Sequence, residues 1–446
     1  MRIKLIAPHE NRKDTVLSGE TFKLPRLCPP LLTALTPPEH DVQVVDESFA
    51  PDDQTRDVDL VGITVVTELS ARAYQIAETY RKRGIKVVMG GIHPTVLPQE
   101  ALSHADAVVV GEADEIWPQL LSDASSGRLQ RLYRADKSAD LQKMPRPNRA
   151  LYPRPSGRGY TPFAYTIESS RGCPYDCEFC TIGTVAGKKY RTRPVADVIA
   201  EIESIDFPYL FFVDDSLALN RNHARELFKE MVPLKRLWVG QGTASLAGDM
   251  ELLKLVRQSG CLGLLIGFET IQEYAQQEMR KITGLNFDYM EAMRRFHDEG
   301  IAVLGAFVFG FDHEDRDVFE QTLEFSMKAK IDGLQLRVLT PFPGTRLYSR
   351  LMEEGRLLAP EWWRRGLTSK SLLFKPKSIT VDEFLSGMEY IERNVYSYTA
   401  IIKRFFGMSV WKRKLIGARL YAGFNLATRS RYLRNLKDMR PIDGLR

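Results

Sequence analysis

Cysteine is scarce in this chain of 446 residues: there are five, and three of them, Cys173, Cys177 and Cys180, crowd into one short stretch. An odd and crowded set makes a poor disulfide framework and a good metal-ligand cluster, and it points to a reducing cytoplasm. Long apolar runs are missing too, since no segment offers the about 18 uninterrupted apolar residues of a spanning helix. The opening MRIKLIAPHENRKD lacks the apolar core and small-residue cleavage site of a secretory signal, so a cytoplasmic protein is expected. Charge of one sign is not in large excess. A net +5 over this length gives no reason to expect a nucleic-acid partner. With 44% hydrophobic and 27% charged residues the chain has the composition of a folded globular protein, which excludes global disorder.

What is present divides into parts, and two or three domains are expected at this length. Residues 1–125 alternate short β-branched runs (RIKLIA, DVQVVD, LVGITVV, KVVMGG, AVVVGE) with helical patterns. That alternation predicts an α/β fold built on a doubly wound parallel sheet, Rossmann- or flavodoxin-like. Ligands of such sheets sit beyond the carboxyl ends of the strands. Thr64, Thr67, Gly90, Gly91, His93, Gly111 and Glu112 fall there, and glycine lets a large flat ligand approach the backbone closely. Read without a ligand, the glycines are ordinary turn residues.

Residues 126–160, with the proline-rich KMPRPNRALYPRPSGRGY, read as an extended linker. Residues 161–375 start a second alternation of six βα units, which predicts a partial TIM-like (β/α)6 barrel with its site at the strands' carboxyl ends. Asp214, Asp215, Thr243 and Glu269 gather at those ends. Residues 376–446 are helical in pattern, basic and aromatic, without an acid between Glu392 and Asp438. Such a tail suits a helix lying on an anionic membrane surface, or one packed on the barrel with its charges in water.

The stretch SSRGCPYDCEFCTIG sets the three cysteines in a C-x3-C-x2-C pattern directly after a strand. Thiolates are the usual protein ligands of iron–sulfur clusters. This spacing lets one loop reach three irons and leaves a fourth open to a small molecule. A zinc site would need a fourth ligand. Cys261 could supply it, but in SGCLGLLIG it reads as a buried small hydrophobe.

CPYDCEFC, with Phe179 before the third cysteine, resembles the radical S-adenosylmethionine superfamily. The resemblance implies a 4Fe–4S cluster whose open iron is chelated by S-adenosylmethionine, and a 5′-deoxyadenosyl radical that abstracts hydrogen from an unactivated carbon. It implies that Phe179, Asp214, Asp215, Thr243, Glu269, Gly305 and Gly310 lie near S-adenosylmethionine, and that Arg191, with Arg193, compensates its carboxylate. The N-terminal sheet, the stretches VVMGGIHPTVLPQEAL and ADAVVVGEADEIWPQLL, and the PFPGT run resemble the cobalamin-binding branch, of the class B methyltransferase and hopanoid methylase type. By that resemblance Thr64, Thr67, Gly90, Gly91, His93, Gly111 and Glu112 face cobalamin, present as methylcobalamin. The Asp-x-His-x-x-Gly motif of histidine-ligating cobalamin proteins is absent, so no lower axial histidine is expected.

The implied activity is methyl transfer to an unactivated carbon of a lipid, isoprenoid-like or other small metabolite, with electrons from a reductase, flavodoxin or ferredoxin. Cyclisation, desaturation or carbon–carbon bond formation would use the same cofactors. A metal-bearing binding module without turnover is the reading from another class.

Overall fold

The computed structural model describes residues 1–9, 24–52, 54, 57–152, 164–272, 288–406 and 414–435. Residues 153–160 of the expected linker, and 407–413 and 436–446 of the expected basic tail, lie outside the described residues.

The first sheet holds β1 (Arg2–Ala7), β2 (Asp41–Asp46), β3 (Leu60–Thr64), β4 (Lys86–Gly90), β5 (Ala107–Val110) and β6 (Leu132–Arg134). All pairings are parallel and the order is β2-β1-β3-β4-β5-β6. This is the flavodoxin-like winding, whose strand order reverses between β1 and β3. The β-branched runs are buried on both faces. Trp117 and Leu120 of the helix Ile116–Ser125 cover one face, and Ala73, Ile76 and Ala77 of the helix Ser70–Lys82 cover the other.

The sheet is one strand longer than the five expected. β6 falls inside the stretch read as linker and pairs Val109 with Tyr133. Three residues carry too little periodicity to be seen in sequence. The same stretch buries Leu141, Met144 and Tyr152, and the Tyr152 hydroxyl donates to Asp46. As far as Tyr152 it is therefore a packed strap and not a free spacer. Arg149 ties the strap to the second sheet, bonding to the Thr166 carbonyl and to buried Glu201, each at 2.6 Å.

The second sheet holds β7 (Tyr165–Ile167), then, beyond a two-stranded hairpin of β8 (Ser170–Arg171) and β9 (Arg191–Thr192), β10 (Tyr209–Phe212), β11 (Leu237–Gly242), β12 (Cys261–Glu269), β13 (Ala302–Phe309) and β14 (Gly333–Val338). The six parallel strands run in the order β14-β13-β12-β11-β10-β7, a partial barrel as expected. Alternate residues such as Ile266, Phe268, Val303 and Phe307 are buried with Leu253, Phe296 and Phe319 in one apolar core against the outer helices. The intervening residues of each strand are only half-buried and face the lumen. This parity decides below which side chains can meet a ligand.

After the barrel, the helix Val381–Val395 opens with a capping box of Thr380 and Glu383. The helices Tyr398–Phe405 and Lys414–Asn435 follow. Tyr396 bonds to both backbone groups of Leu334, and the Arg404 guanidinium donates to the Ile331 carbonyl at 3.0 Å, so this extension is anchored along the β14 edge.

Candidate active site at the barrel mouth and the domain seam

The β8–β9 hairpin closes the base of the loop that carries the three cysteines. Gly172, at φ +90°, starts that loop, and a Cβ there would lie 2.5 Å from the Lys189 carbonyl oxygen, so only glycine passes. The Gly172 N–H donates to the Asp215 carboxylate at 2.8 Å. Asp214, fully buried, accepts from the Ser169 N–H and from both Ser169 and Ser170 hydroxyls. Burial pushes the Asp214 carboxyl up to about 6 against the pull of these serine hydrogen bonds. The two aspartates beyond β10 thus hold the root of the loop.

Cys173, Cys177 and Cys180 are all half-buried, and Cys180 donates its N–H to the Cys177 carbonyl at 3.2 Å. Burial raises the Cys180 thiol, a backbone hydrogen bond from Ile182 opposes this, and the nearby Cys173, Asp215 and Glu269 add to the rise. Among the described residues no three His, Cys, Asp or Glu side chains are arranged to hold a single metal ion. Cys261 begins β12 while Glu269 ends it, a separation of about 26 Å at 3.3 Å per residue. It is buried in the helix-facing core and cannot complete a zinc site with the loop. Three thiols on one loop, with no fourth protein ligand grouped with them among the described residues, suit a cluster that keeps one iron open.

Glu269 sits at φ +62° where the β12–β13 register shifts, a bulge that re-aims its side chain at the strand end. Thr243 shares a hydrogen bond with the Ser245 hydroxyl at 2.8 Å, and Phe179 meets Phe311 edge-on at 6.0 Å.

The structure separates several expected contacts from this mouth. Gly305 is in phase with Val303 and Phe307, so its missing side chain makes room for Ile331, Phe307 and Phe268 on the helix side and not for a ligand. At Gly310 a Cβ would lie 2.8 Å from Phe374, a packing contact with the segment after the barrel. Arg191, expected beside a cofactor carboxylate, is bound within the protein. Its Nη1 donates to Glu112 and to the Ala139 carbonyl, and its Nη2 to Glu112 and to the Ala186 carbonyl, all within 2.9 Å. Arg193 is buried against Glu201 at 2.6 Å.

Sequence reasoning missed Arg221. Arg221 begins the helix Arg221–Met231 and donates to Ser245 Oγ at 3.3 Å. Burial lowers its pKa, opposed by Asp249 and by Tyr175 of the cysteine loop. Its signal in the sequence is a basic residue shortly after a strand end carrying two aspartates.

In the first sheet, Thr64, Gly90 and Gly91 line a narrow, mostly apolar crevice at the switch point with Cys28, Leu32 and Trp117. Gly91, at φ +109°, would place a Cβ 2.8 Å from the Val65 carbonyl oxygen. A Gly90 Cβ would reach only Val109, at 3.6 Å. The Thr67 hydroxyl is buried without a hydrogen-bond partner among the described residues, and the Gly111 N–H is held by Thr95. Cys28 is exposed and lines the crevice beside Thr64. Nothing in its sequence context marks Cys28. A cleft at a strand-order reversal, walled by two glycines and apolar side chains, suits a large flat group such as a corrin.

His93 is not in that crevice. Fully buried, it bonds to the Tyr74 hydroxyl at 2.8 Å and to Glu100 at 3.4 Å. Trp363 and Arg364, from the turn after the barrel, reach the same Glu100. Burial would raise the Glu100 carboxyl, but His93, Trp363, Arg364 and Tyr74 hold it at about 2. Glu112, expected at the corrin, instead bridges the two sheets. Arg191 holds it from one side, and Arg171, which also bonds Asp114 and Glu168, from the other. Burial works against ionised Glu112, yet the two arginines keep it below the ordinary carboxylate range.

Known proteins with this arrangement fall together. The family model described as the Radical SAM superfamily matches residues 167–326, which contain all three clustered cysteines, and that of the B12 binding domain matches residues 38–121. The chain is 29% identical over 359 residues to the bacteriochlorophyllide d C-12(1)-methyltransferase of Chlorobaculum tepidum, covering 78% of this chain and 77% of the relative. It is 25% identical to the hopanoid C-2 methylase of Rhodopseudomonas palustris, covering 74% and 64%. In structure it resembles the radical S-adenosylmethionine methyltransferase TsrM from Kitasatospora setae, solved with cobalamin and a [4Fe-4S] cluster. There the TM-score is 0.64 at 20% identity, over 79% of this chain and 78% of that one.

Proposed function

The chain belongs to the cobalamin-binding radical S-adenosylmethionine superfamily, and on that premise we propose that it transfers a methyl group to an unactivated carbon of a largely apolar metabolite. When bound, the 4Fe–4S cluster with S-adenosylmethionine supplies homolytic hydrogen removal, and a methylated corrin supplies the methyl group. Cys173, Cys177 and Cys180 would hold three irons. Asp214 and Asp215 keep the loop root in register, while Glu269 and Phe179 would border the space beside the open iron. Arg221, with Ser245 and Thr243, would stand in for the expected Arg191 as partner of the cofactor carboxylate, because among the described residues Arg221 makes only a long bond to Ser245 while Arg191 is bound to Glu112. Thr64, Thr67, Gly90, Gly91 and Gly111 would border the corrin.

One observation carries the two-cofactor reading. Glu112, two residues beyond β5, is bonded to Arg171 and Arg191, the residues paired across the β8–β9 hairpin at the base of the cysteine loop. The carboxyl ends of both sheets therefore open on one seam, and a group held by each would share a space from which water is displaced. Incubating the anaerobically reconstituted protein with methyl-deuterated S-adenosylmethionine, methylcobalamin, a flavodoxin or ferredoxin reductant and a host lipid and pigment extract should give a product carrying the label. A product without label would remove methyl transfer and leave ring closure or desaturation.

The relatives' names include a hopanoid methylase, and a lipid-like substrate would be met at a membrane surface. No helix among the described residues is long and apolar enough to cross a membrane. However, Tyr398, Ile402 and Phe406 repeat at helical spacing and are 61%, 53% and 69% exposed. Leu426 of the last helix is exposed too, and the surrounding sequence is basic. We assign this face to an anionic lipid surface. The protein should sediment with phosphatidylglycerol vesicles and not with phosphatidylcholine vesicles, and Ile402→Glu with Phe406→Glu should release it. Equal recovery in the supernatant with both vesicles would refute the assignment.

A further inference from the structure

The outer side of the cysteine loop is flanked by cations that the cofactor sites do not use. Pro174 of that loop is exposed, and so are Lys188 and Lys189, which close the loop just before β9. The Lys189 backbone packs on Gly172, directly before Cys173. Asp176, between the first two cysteines, is bound by Lys188 at 2.7 Å and by exposed Arg346, which also donates to the Asp176 carbonyl. Two cations thus meet one anion there. Glu178 is taken up by Arg350 at 2.7 Å.

The strap between the two sheets adjoins this edge. Gln142 donates to the Thr192 carbonyl at 2.8 Å, and Ser138 Oγ lies 3.3 Å from where a Gly187 Cβ would stand. The strap adds Lys137, Lys143 and Arg146, all exposed. Buried Met144, between the last two, reaches Arg171 at the root of the loop, at 3.9 Å. Asp136 and Asp140 are the exposed acids of this stretch, and Asp140 stands 3.8 Å from Lys143. Six exposed cations therefore face three carboxylates along one rim, in a chain whose whole excess is +5. Charges in water at a rim add little to stability; they steer an oppositely charged partner and fix its orientation. Electron tunnelling falls steeply with separation, so a donor has to come close to the three thiols. The seam on the other side of the loop is bridged by Glu112, Arg171 and Arg191, and a globular donor approaches from outside.

We propose that this rim, built from the strap and the closing turn of the cysteine loop, is the docking face of a small one-electron carrier protein with an acidic surface. This rests on the reading of the loop as an iron–sulfur site. One electron leaves the carrier's flavin, whose anionic hydroquinone becomes the neutral semiquinone, and enters the cluster. No bond breaks and no proton moves in that step. Lys188 and Arg346 brace the loop through Asp176, while Lys143, Arg146 and Lys189 orient the partner.

A flavodoxin serves as the carrier. Its oxidised form should bind the anaerobically reconstituted full chain, followed by biolayer interferometry, and added salt should weaken that binding. Lys189→Glu, and Lys143→Glu combined with Arg146→Glu, should each weaken it by about tenfold. Lys82→Glu, at the far end of the helix Ser70–Lys82, should leave it unchanged. With limiting reduced flavodoxin the rim variants should lose 5′-deoxyadenosine release in the same ratio. Their iron content, and release driven by titanium(III) citrate, which needs no docking, should match the unaltered protein's. No binding by the unaltered protein, binding indifferent to salt, or an affinity untouched by the rim substitutions overturns the proposal. An equal loss in Lys82→Glu overturns it by giving the effect to net charge. Lost titanium-driven release in the rim variants overturns it by giving these residues to the loop's own structure. Absence of titanium-driven 5′-deoxyadenosine from the unaltered protein strikes at the family chemistry, and this inference then falls with it.

Discussion

Replacing Cys173, Cys177 or Cys180 singly with alanine should leave a folded protein that retains no stable iron–sulfur group and cleaves S-adenosylmethionine no faster than cluster-free protein. The side chains are half-buried on a loop outside the apolar core, so the cost to folding should be about 1 kcal/mol or less. The cost to the cluster is far larger, because no fourth thiol can substitute. Cys261 faces the helix layer at the far end of β12, and Cys28 belongs to the other sheet's crevice. Iron and sulfide analysis, the charge-transfer absorbance of the cluster and 5′-deoxyadenosine release should fall together. Asp215→Ala offers a graded version. It removes the acceptor of the Gly172 N–H and should weaken cluster retention by about 10- to 100-fold, the usual range for groups that orient ligands. An alanine variant that keeps cluster and cleavage would remove the loop from the chemistry.

Gly90→Leu should abolish retention of methylcobalamin through gel filtration while leaving cluster content unchanged. Gly90 lies at the end of β4 and lines the switch-point crevice. A Cβ there has only Val109 within reach, at 3.6 Å, so the fold accepts a side chain that a ligand would not. Gly91 makes a poorer test. At φ +109°, with the Val65 carbonyl oxygen only 2.8 Å from where a Cβ would stand, substitution there strains the backbone itself, at about 1–3 kcal/mol. Corrin absorbance that survives in a folded Gly90→Leu protein would place the cofactor elsewhere.

The cysteine loop is legible in the sequence because its information is local: three thiols at fixed spacing after a strand need no knowledge of the rest of the chain. Both parallel sheets are legible from buried β-branched runs, and β6 is not, being three residues long. The errors at the site share a cause in long-range geometry. Glu112 and Arg191 each carry the signature of a polar residue at a strand's ligand end. They face each other instead of a ligand because two strand ends 79 positions apart are brought to one seam. Gly305 lies on the helix side, a placement that its phase with Val303, Phe307 and Phe309 already sets. His93 carries no local sign that Tyr74 and Glu100 enclose it.

The Glu112 junction also bears on how the protein can move. Drawing the sheets apart would leave a carboxylate and two guanidiniums without counter-ions in a poorly hydrated cleft, and breaking such a set costs about 3–5 kcal/mol. Glu100 adds a second rivet on the flank, through Trp363 and Arg364. On the proposed function, a methyl donor and a hydrogen acceptor held on either side of this joint would keep a constant separation, and the substrate's reacting carbon would be the partner that travels between them.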